Sequence, residues 1–490
     1  MTIQSARKRR GGEDQVEHLL RRAGFGASQE EIDGYLDLGF SGTLDYLLRY
    51  DRVPDDVDSF IGKPGYIGTS VVGAFMPSQN ITHARQRWLF RMVHTRRPLQ
   101  EKMTLFWHNH FATAASKVLG TLGGMSGARY MAALPAEDPH QIRGQLETLR
   151  GMALGNFKDI VVAMAKDVAM VTWLDGRFNV RGRPQENFAR ELMELFTMGV
   201  GHYTEEDVYA AARVFTGWNL AYPGQAYYAF SYIPNSHDTA AKDFTFQIYP
   251  TGSKTIPARA ADAGLQDGLD LIDAVVRHPA TGPRLALKLY RYFISEIDTP
   301  DTGLINELSK LYYQHNFEMK PVVAHLLRSP QFAAGSARYA RYSWPVEFVV
   351  RAIKEVGWNG FSISDANVLS PLISMGQQLY EPPDVNGWDL GSNWFSSGGT
   401  LARMNFAATL ATNQKFNLRD VARGQSPTPE ALLSLMSDRL TPKPFANDAY
   451  RALLDYVRAG GAWTGSDTQV ATKAAGLAHL IVGSGDYQLV

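Results

Sequence analysis

Apolar positions recur along most of this chain at the three-to-four spacing of helices. From Thr82, the residues Ala84, Trp88, Leu89, Met92 and Val93 fall on one helical face. Arg96-Arg97-Pro98 closes that helix and opens another, since a proline fits the first helical turn, where its missing N–H is not needed. The second helix carries Leu99, Met103, Phe106 and Trp107 on one face and runs into "FWHNHFAT", residues 106–113. "PQENFARELMELFTMGVG" reads as a helix with Pro184 in its first turn, Phe188, Leu192, Leu195 and Phe196 inward, and Gly199 as its stop. Thr204 with Asp207 forms a capping box for "TEEDVYAAARVF". Between Trp218 and about Pro257 the period changes to two: "YYAFSYIPNSHD" and "DFTFQIYPTG" alternate apolar and polar residues and end in turn residues. Helices resume with "GLQDGLDLIDAVVRH", "RLALKLYRYFISEI", "MKPVVAHLLRSPQF" and "WPVEFVVRAIKEVG", and the loop-rich "YEPPDVNGWDLGSNWFSSGG" precedes the last of them. The pattern therefore predicts a mostly α fold. A flexible basic N-terminus (residues 1–14) leads into one large helical domain (15–490), with a small β-hairpin region inserted at about 219–257.

Composition narrows the function classes. With 490 residues, 45% of them hydrophobic, the chain can bury a large core. Lys+Arg and Asp+Glu both count 49, so no global field recruits nucleic acid. Cysteine is absent, which removes disulfides, thiolate metal sites and a cysteine nucleophile together. No apolar run approaches membrane-spanning length, and the basic cluster near the N-terminus has no apolar stretch behind it to serve as an export signal. This sequence thus reads as a soluble protein, cytoplasmic or already processed. The 22 Tyr, 24 Phe and 9 Trp suit a site that stacks on ring-shaped ligands.

Candidate chemistry gathers in four places. His108 and His110 flank Asn109 and follow Trp107. Residues two apart point to nearly opposite sides of a helix, so a metal shared by both histidines is disfavoured unless the helix ends at Trp107; a buried, hydrogen-bonded histidine is the bland alternative. Asn187, Glu191 and Glu194 line one side of their helix, and Glu186, Arg190 and Glu194 are spaced for surface ion pairs. That stripe borders the apolar face, where partial burial raises a carboxyl pKa toward acid/base work. His237, Asp238 and Lys242 lie in the insertion, and Trp388 and Trp394 sit in the loop-rich stretch as a stacking platform or as plugs. Glycine loops for phosphate, H-E-x-x-H and G-x-S-x-G are all missing, although a tertiary site joining one of the histidines to Glu191 or Glu194 could hold a divalent metal.

Taken in order, "HLLRRAGFGAS", "RPLQEKMTLFWHNHFAT", "ENFARELMELFTMGVGHYTEEDV", "AARVFTGWN", "HPATGPRLALKLYRYF" and "PPDVNGWDLGSNW" closely resemble the bacterial domain of unknown function 1800 family over nearly the whole chain. The resemblance implies a predominantly α-helical single domain, periplasmic or secreted location, and a sulfatase-like partner protein. It assigns no reaction. Ala240 stands where the family's H-D-x-G-x-K pattern has glycine.

The residues themselves point to an enzyme with a polar, aromatic-lined cleft acting on a carbohydrate or polysaccharide, by hydrolysis or lyase-type acid/base chemistry. Glu191, Glu194, His108 and His110 are the candidate catalytic groups. Trp107, Asn109, Asn187, Arg190, His237, Asp238, Lys242, Trp388 and Trp394 are the candidate substrate contacts. No cofactor is required by this reading. The alternatives are a metalloenzyme that uses the same His and Glu side chains as ligands, and a non-enzymatic binding or assembly protein.

Overall fold

Helices carry 61% of the chain and strands only 5%, so the fold is mostly α as the apolar spacing predicts. The computed structural model describes residues 12–490 apart from 72, 414–415 and 442–444. Of the expected flexible segment 1–14, residues 1–11 lie outside the described residues, while Glu13 and Asp14 already belong to the first helix, α1 (Glu13–Arg22). One hydrophobic core gathers residues from Leu19 through Tyr487.

Two helices organise the part of the core that matters for function. In α2 (Ile81–His94), Asn80 caps the start by accepting from the Thr82 and His83 amides. Pro98 then begins α3 (Pro98–His110), whose residues are all buried except the partly exposed Asn109. A helix buried all round must pair its polar groups inside the protein. Glu101 accepts from the Arg150 guanidinium at 2.6 Å and the Trp88 indole at 3.1 Å, and Gln100 donates to the Arg150 carbonyl at 2.9 Å. Lys102 pairs with Glu347 of α8 (Pro345–Val356), which also takes both Nη atoms of Arg341, at 2.8 and 2.9 Å. The polar residues just upstream of the histidines are thus core ion pairs that fix α3 in place.

The segment expected to be one helix from Pro184 to Gly199 is shorter and interrupted. Helix α4 spans Asn187–Glu191 and passes into a π-helical turn, Leu192–Phe196. Pro184 stays outside, in a turn where Val180 pairs with Arg183 and Asn179 Oδ1 accepts from the Gln185 amide at 2.9 Å. The wide turn closes when the Gly199 amide reaches back to the Met193 carbonyl at 2.9 Å, and Gly199 at φ 87° is the stop that the sequence predicts. Helix α5 (Glu205–Val214) starts with the Thr204/Asp207 capping box, again as expected. It is followed by α6 (Leu265–Arg277) and α7 (Thr281–Phe293).

The strands make three two-stranded sheets among the described residues. β1 (Gly68–Thr69) pairs in parallel with β6 (Ser362–Ile363). In the insertion, β2 (Trp218–Ala221) is antiparallel to β3 (Ala229–Tyr232), and β4 (Lys242–Asp243) to β5 (Thr255–Ile256). The β region therefore occurs where period two predicts it, divided into two short ladders. Among the described residues no helix is long and apolar enough to cross a membrane.

Candidate functional site

The helix α3 does not end at Trp107. It runs through His110, so the two histidine rings diverge. His108 Nε2 accepts from the Tyr380 amide at 3.2 Å, and its ring packs among Trp88, Tyr380 and Trp388. Tyr380 holds a left-handed φ of 63°, unusual for a tyrosine, so His108 secures a strained residue at the head of the "EPPDVNGW" loop. Burial lowers its pKa to about 3, which keeps the ring neutral. Asn109 clamps the same loop: its Oδ1 accepts from the Trp388 amide at 2.6 Å and its Nδ2 donates to the Trp388 carbonyl at 3.3 Å. His110 faces the other way. Its Nε2 donates to the Phe196 carbonyl at 3.0 Å, and its Nδ1 accepts from Lys288 Nζ of α7 at 3.0 Å.

This second contact leads to the carboxylates. The carbonyls at the end of the π turn are met by positive groups: Leu195 O accepts from Lys288 Nζ and Arg284 Nη2, each at 3.4 Å. Cations at a helix C-terminus are favourable against its dipole, so this contact stabilises the turn whatever else it does. Burial, reinforced by Arg284, lowers the Lys288 amine to about 7. Arg284 in turn faces Glu194, whose carboxylate accepts from the Tyr203 hydroxyl at 2.5 Å. The Nε of Arg284 is buried and has no hydrogen-bond partner among the described residues.

Glu191 stands beside this group. It is half-buried, and among the described residues its carboxylate has neither a hydrogen bond nor an ion pair. Burial first, then the negative charges of Glu194 and Asp384, push its pKa up to about 7 against the pull of Arg190. Three sequence blocks therefore converge: the histidine helix, the α4 stripe, and the loop that carries Asp384.

The other candidates are placed differently. Asn187 is exposed at the start of α4. Arg190 is committed to Glu205, with Nη to carboxylate distances of 2.8 and 2.7 Å, and to Glu186 at 3.1 Å. The ion pairing expected along the stripe thus forms with Glu186 but not with Glu194. His237, Asp238 and Lys242 build a knot of their own. His237 and Lys242 reach the buried Asp267 carboxylate of α6 at 3.2 and 2.5 Å, and Asp238 takes Arg213 of α5 at 2.7 Å. Their role here is to fasten the β insertion to α5 and α6. The aromatic lining expected of the cleft does not form from the named tryptophans. Trp107 is fully buried with its indole on the Ala153 carbonyl at 2.9 Å, and Trp388 and Trp394 are buried against His108 and Trp344. These three rings plug the core beneath the loops because each finds more apolar contact there than at the surface. Among the described residues, no group of three or more His, Asp and Glu side chains is arranged to hold a metal ion.

Sequence reasoning missed Tyr203, Arg284, Lys288 and Asp384. One signal was available: Arg284 and Lys288 are cations four apart on a helix, bordering the buried Leu285 and Leu289. No curated protein and no solved structure matches the chain. Residues 18–489, nearly the whole chain, match the family described as Protein of unknown function (DUF1800), and the protein belongs to that family.

Proposed function

We propose that this protein is an acid/base enzyme acting on a carbohydrate or polysaccharide, with Glu191 as its proton-transfer group. The observation that carries this reading is a half-buried carboxylate without a bonding partner among the described residues, poised near neutrality by its surroundings. A carboxylate kept only for structure is normally paired, and a group with its pKa near the working pH exchanges protons most effectively. Glu194, fixed by Tyr203, orients the site and raises Glu191 by its charge. His110 acts through Lys288, whose amine it holds at 3.0 Å together with the Leu195 carbonyl. Arg284, facing Glu194, brings positive charge to the same side. That favours elimination next to a uronate carboxylate, because removing the neighbouring proton builds negative charge that cations stabilise. Hydrolysis of a glycosidic bond would use Glu191 as the acid instead.

The test is a panel of neutral and uronate-containing polysaccharides, followed by new reducing ends and by the ultraviolet absorbance of an unsaturated uronate. The protein should cleave at least one of them, and Glu191→Gln should slow cleavage by about 100-fold or more with the circular dichroism unchanged. Full activity in Glu191→Gln would overturn the assignment of the residue. Failure of the unaltered protein across the panel would overturn the substrate class.

A further inference from the structure

Away from the His/Glu site, a groove of about 1120 Å³ opens between the start of the helix Gln29–Leu48, the end of α8, α9 (Asn417–Gln425) and α10 (Pro429–Leu440). We propose that it binds a neutral oligosaccharide. Its size lies just above the usual range of small-molecule sites, which run to roughly 1000 Å³, and suits a short chain of sugar rings better than a single one.

Two partly exposed aromatic rings, Trp358 and Tyr66, line the groove, and both are held rigidly. The Trp358 indole donates to the Gly65 carbonyl at 3.1 Å, and Tyr66 stacks on Phe60 with centroids 4.8 Å apart and planes 9° apart. His94 packs against both rings, at 4.8 Å from Trp358 and 5.0 Å from Tyr66, while its Nε2 accepts from the Ile67 amide at 2.9 Å. The β1–β6 pairing ties the two loops that carry these rings. Next to Trp358, Gly357 lets α9 approach: a Cβ there would meet the Cβ of Asn417 at 2.7 Å. Fixed, partly open aromatic rings are what the C–H faces of sugars stack on, with little ordering cost on binding.

The polar lining points to an uncharged ligand. Asn359, Asn417 and Gln425 are exposed amides, able to donate to and accept from hydroxyls. The charged wall residues are occupied within the protein. Lys354 pairs with Glu31 at 2.9 Å, Glu355 accepts from the Tyr487 hydroxyl at 2.5 Å, Asp438 accepts from the Ser434 hydroxyl at 3.4 Å, and Arg439 donates to the Ala27 carbonyl. Glu30 at the rim adds negative charge, which opposes an acidic glycan. None of the residues that converge around Glu191 lines this groove, so the inference stands apart from the acid/base reading.

Isothermal titration of the full-length protein with short neutral oligosaccharides of glucose, xylose, mannose or N-acetylglucosamine tests it. At least one series should bind, more tightly as the chain lengthens. Trp358→Ala should abolish that binding, and Gln425→Lys, at an exposed position that spares the fold, should weaken it by about tenfold. Glu191→Gln should leave it unchanged. Absence of binding by every neutral series would overturn the proposal, as would binding insensitive to Gln425→Lys or binding lost in Glu191→Gln.

Discussion

A carboxylate that titrates near neutrality is set by its neighbours, and for Glu191 they act in opposite directions. Glu194 and Asp384 repel its charged form and Arg190 favours it, on top of the burial that dominates. Removing Glu194's charge should therefore lower the Glu191 pKa, and removing Arg190's should raise it, each by about one unit. A carbon-detected NMR titration of Glu191 in Glu194→Gln and Arg190→Gln reads this without any substrate. Midpoints that fail to move apart would show that burial alone sets the value. The spacing of Glu191 and Glu194 on the edge of an apolar face was legible in the sequence because it is a local property of one helix. Arg190 was read as a substrate contact, but Glu205 from the next helix takes it, and helical spacing carries no information about that partner. Lys288 and Asp384 reach the site from distant segments for the same reason.

At the scale of elements, local signals translated well. The Pro98 start of α3, the Thr204/Asp207 box and the Gly199 stop are all chemistry within one turn of chain, and each appears where the sequence places it. The π turn is different. Its carbonyls at Leu195 and Phe196 are satisfied by His110, Arg284 and Lys288, so the wider turn is sustained by tertiary contacts and not by residues 192–196 themselves. In the loop-rich stretch from Tyr380 the sequence offers Trp388 as a stacking platform or a plug, yet what fixes the loop is the pair of bonds from Asn109 to Trp388. Asn109→Ala breaks both and leaves the Trp388 amide without its acceptor, which should cost about 1–3 kcal/mol of stability. Asn109→Asp keeps the acceptor and should cost less. Hydrogen exchange at residues 384–390 should accelerate in Asn109→Ala and only slightly in Asn109→Asp. Equal protection of that loop in both variants would show that Asn109 is not its clamp.

Across the whole molecule, helices packed on all sides draw titratable groups into one core, and the pH response of folding follows from which form each prefers there. Burial lowers the histidines His18 to about 2 and His94 and His108 to about 3, and holds His110 well below its ordinary value. Between those values and 6.5 only the unfolded chain takes up these protons, so acidification through this window favours unfolding. Each fully buried ring contributes roughly 1.4 kcal/mol per pH unit there. Asp167 and Glu191, both raised to about 7, act in the opposite sense from about pH 4 to 7, since the folded protein holds their protons while the unfolded chain has released them. His83 and His278, also lowered by burial, add to the histidines, and Glu296 and Glu355, raised by burial, add to the carboxylates. Six histidines against four carboxylates leave the balance with the histidines, and stability should fall from pH 6.5 toward 5. The contribution of one ring can be isolated with His108→Gln, which removes the titrating group while leaving an amide to meet the Tyr380 N–H. Denaturant midpoints measured from pH 7 to pH 5 should decline less steeply in the variant than in the parent, even though the variant starts lower. Parallel declines would mean that His108 takes up its proton over the same pH range in the folded protein as in the unfolded chain, and that the neutral ring inferred from its acceptor bond to Tyr380 is wrong.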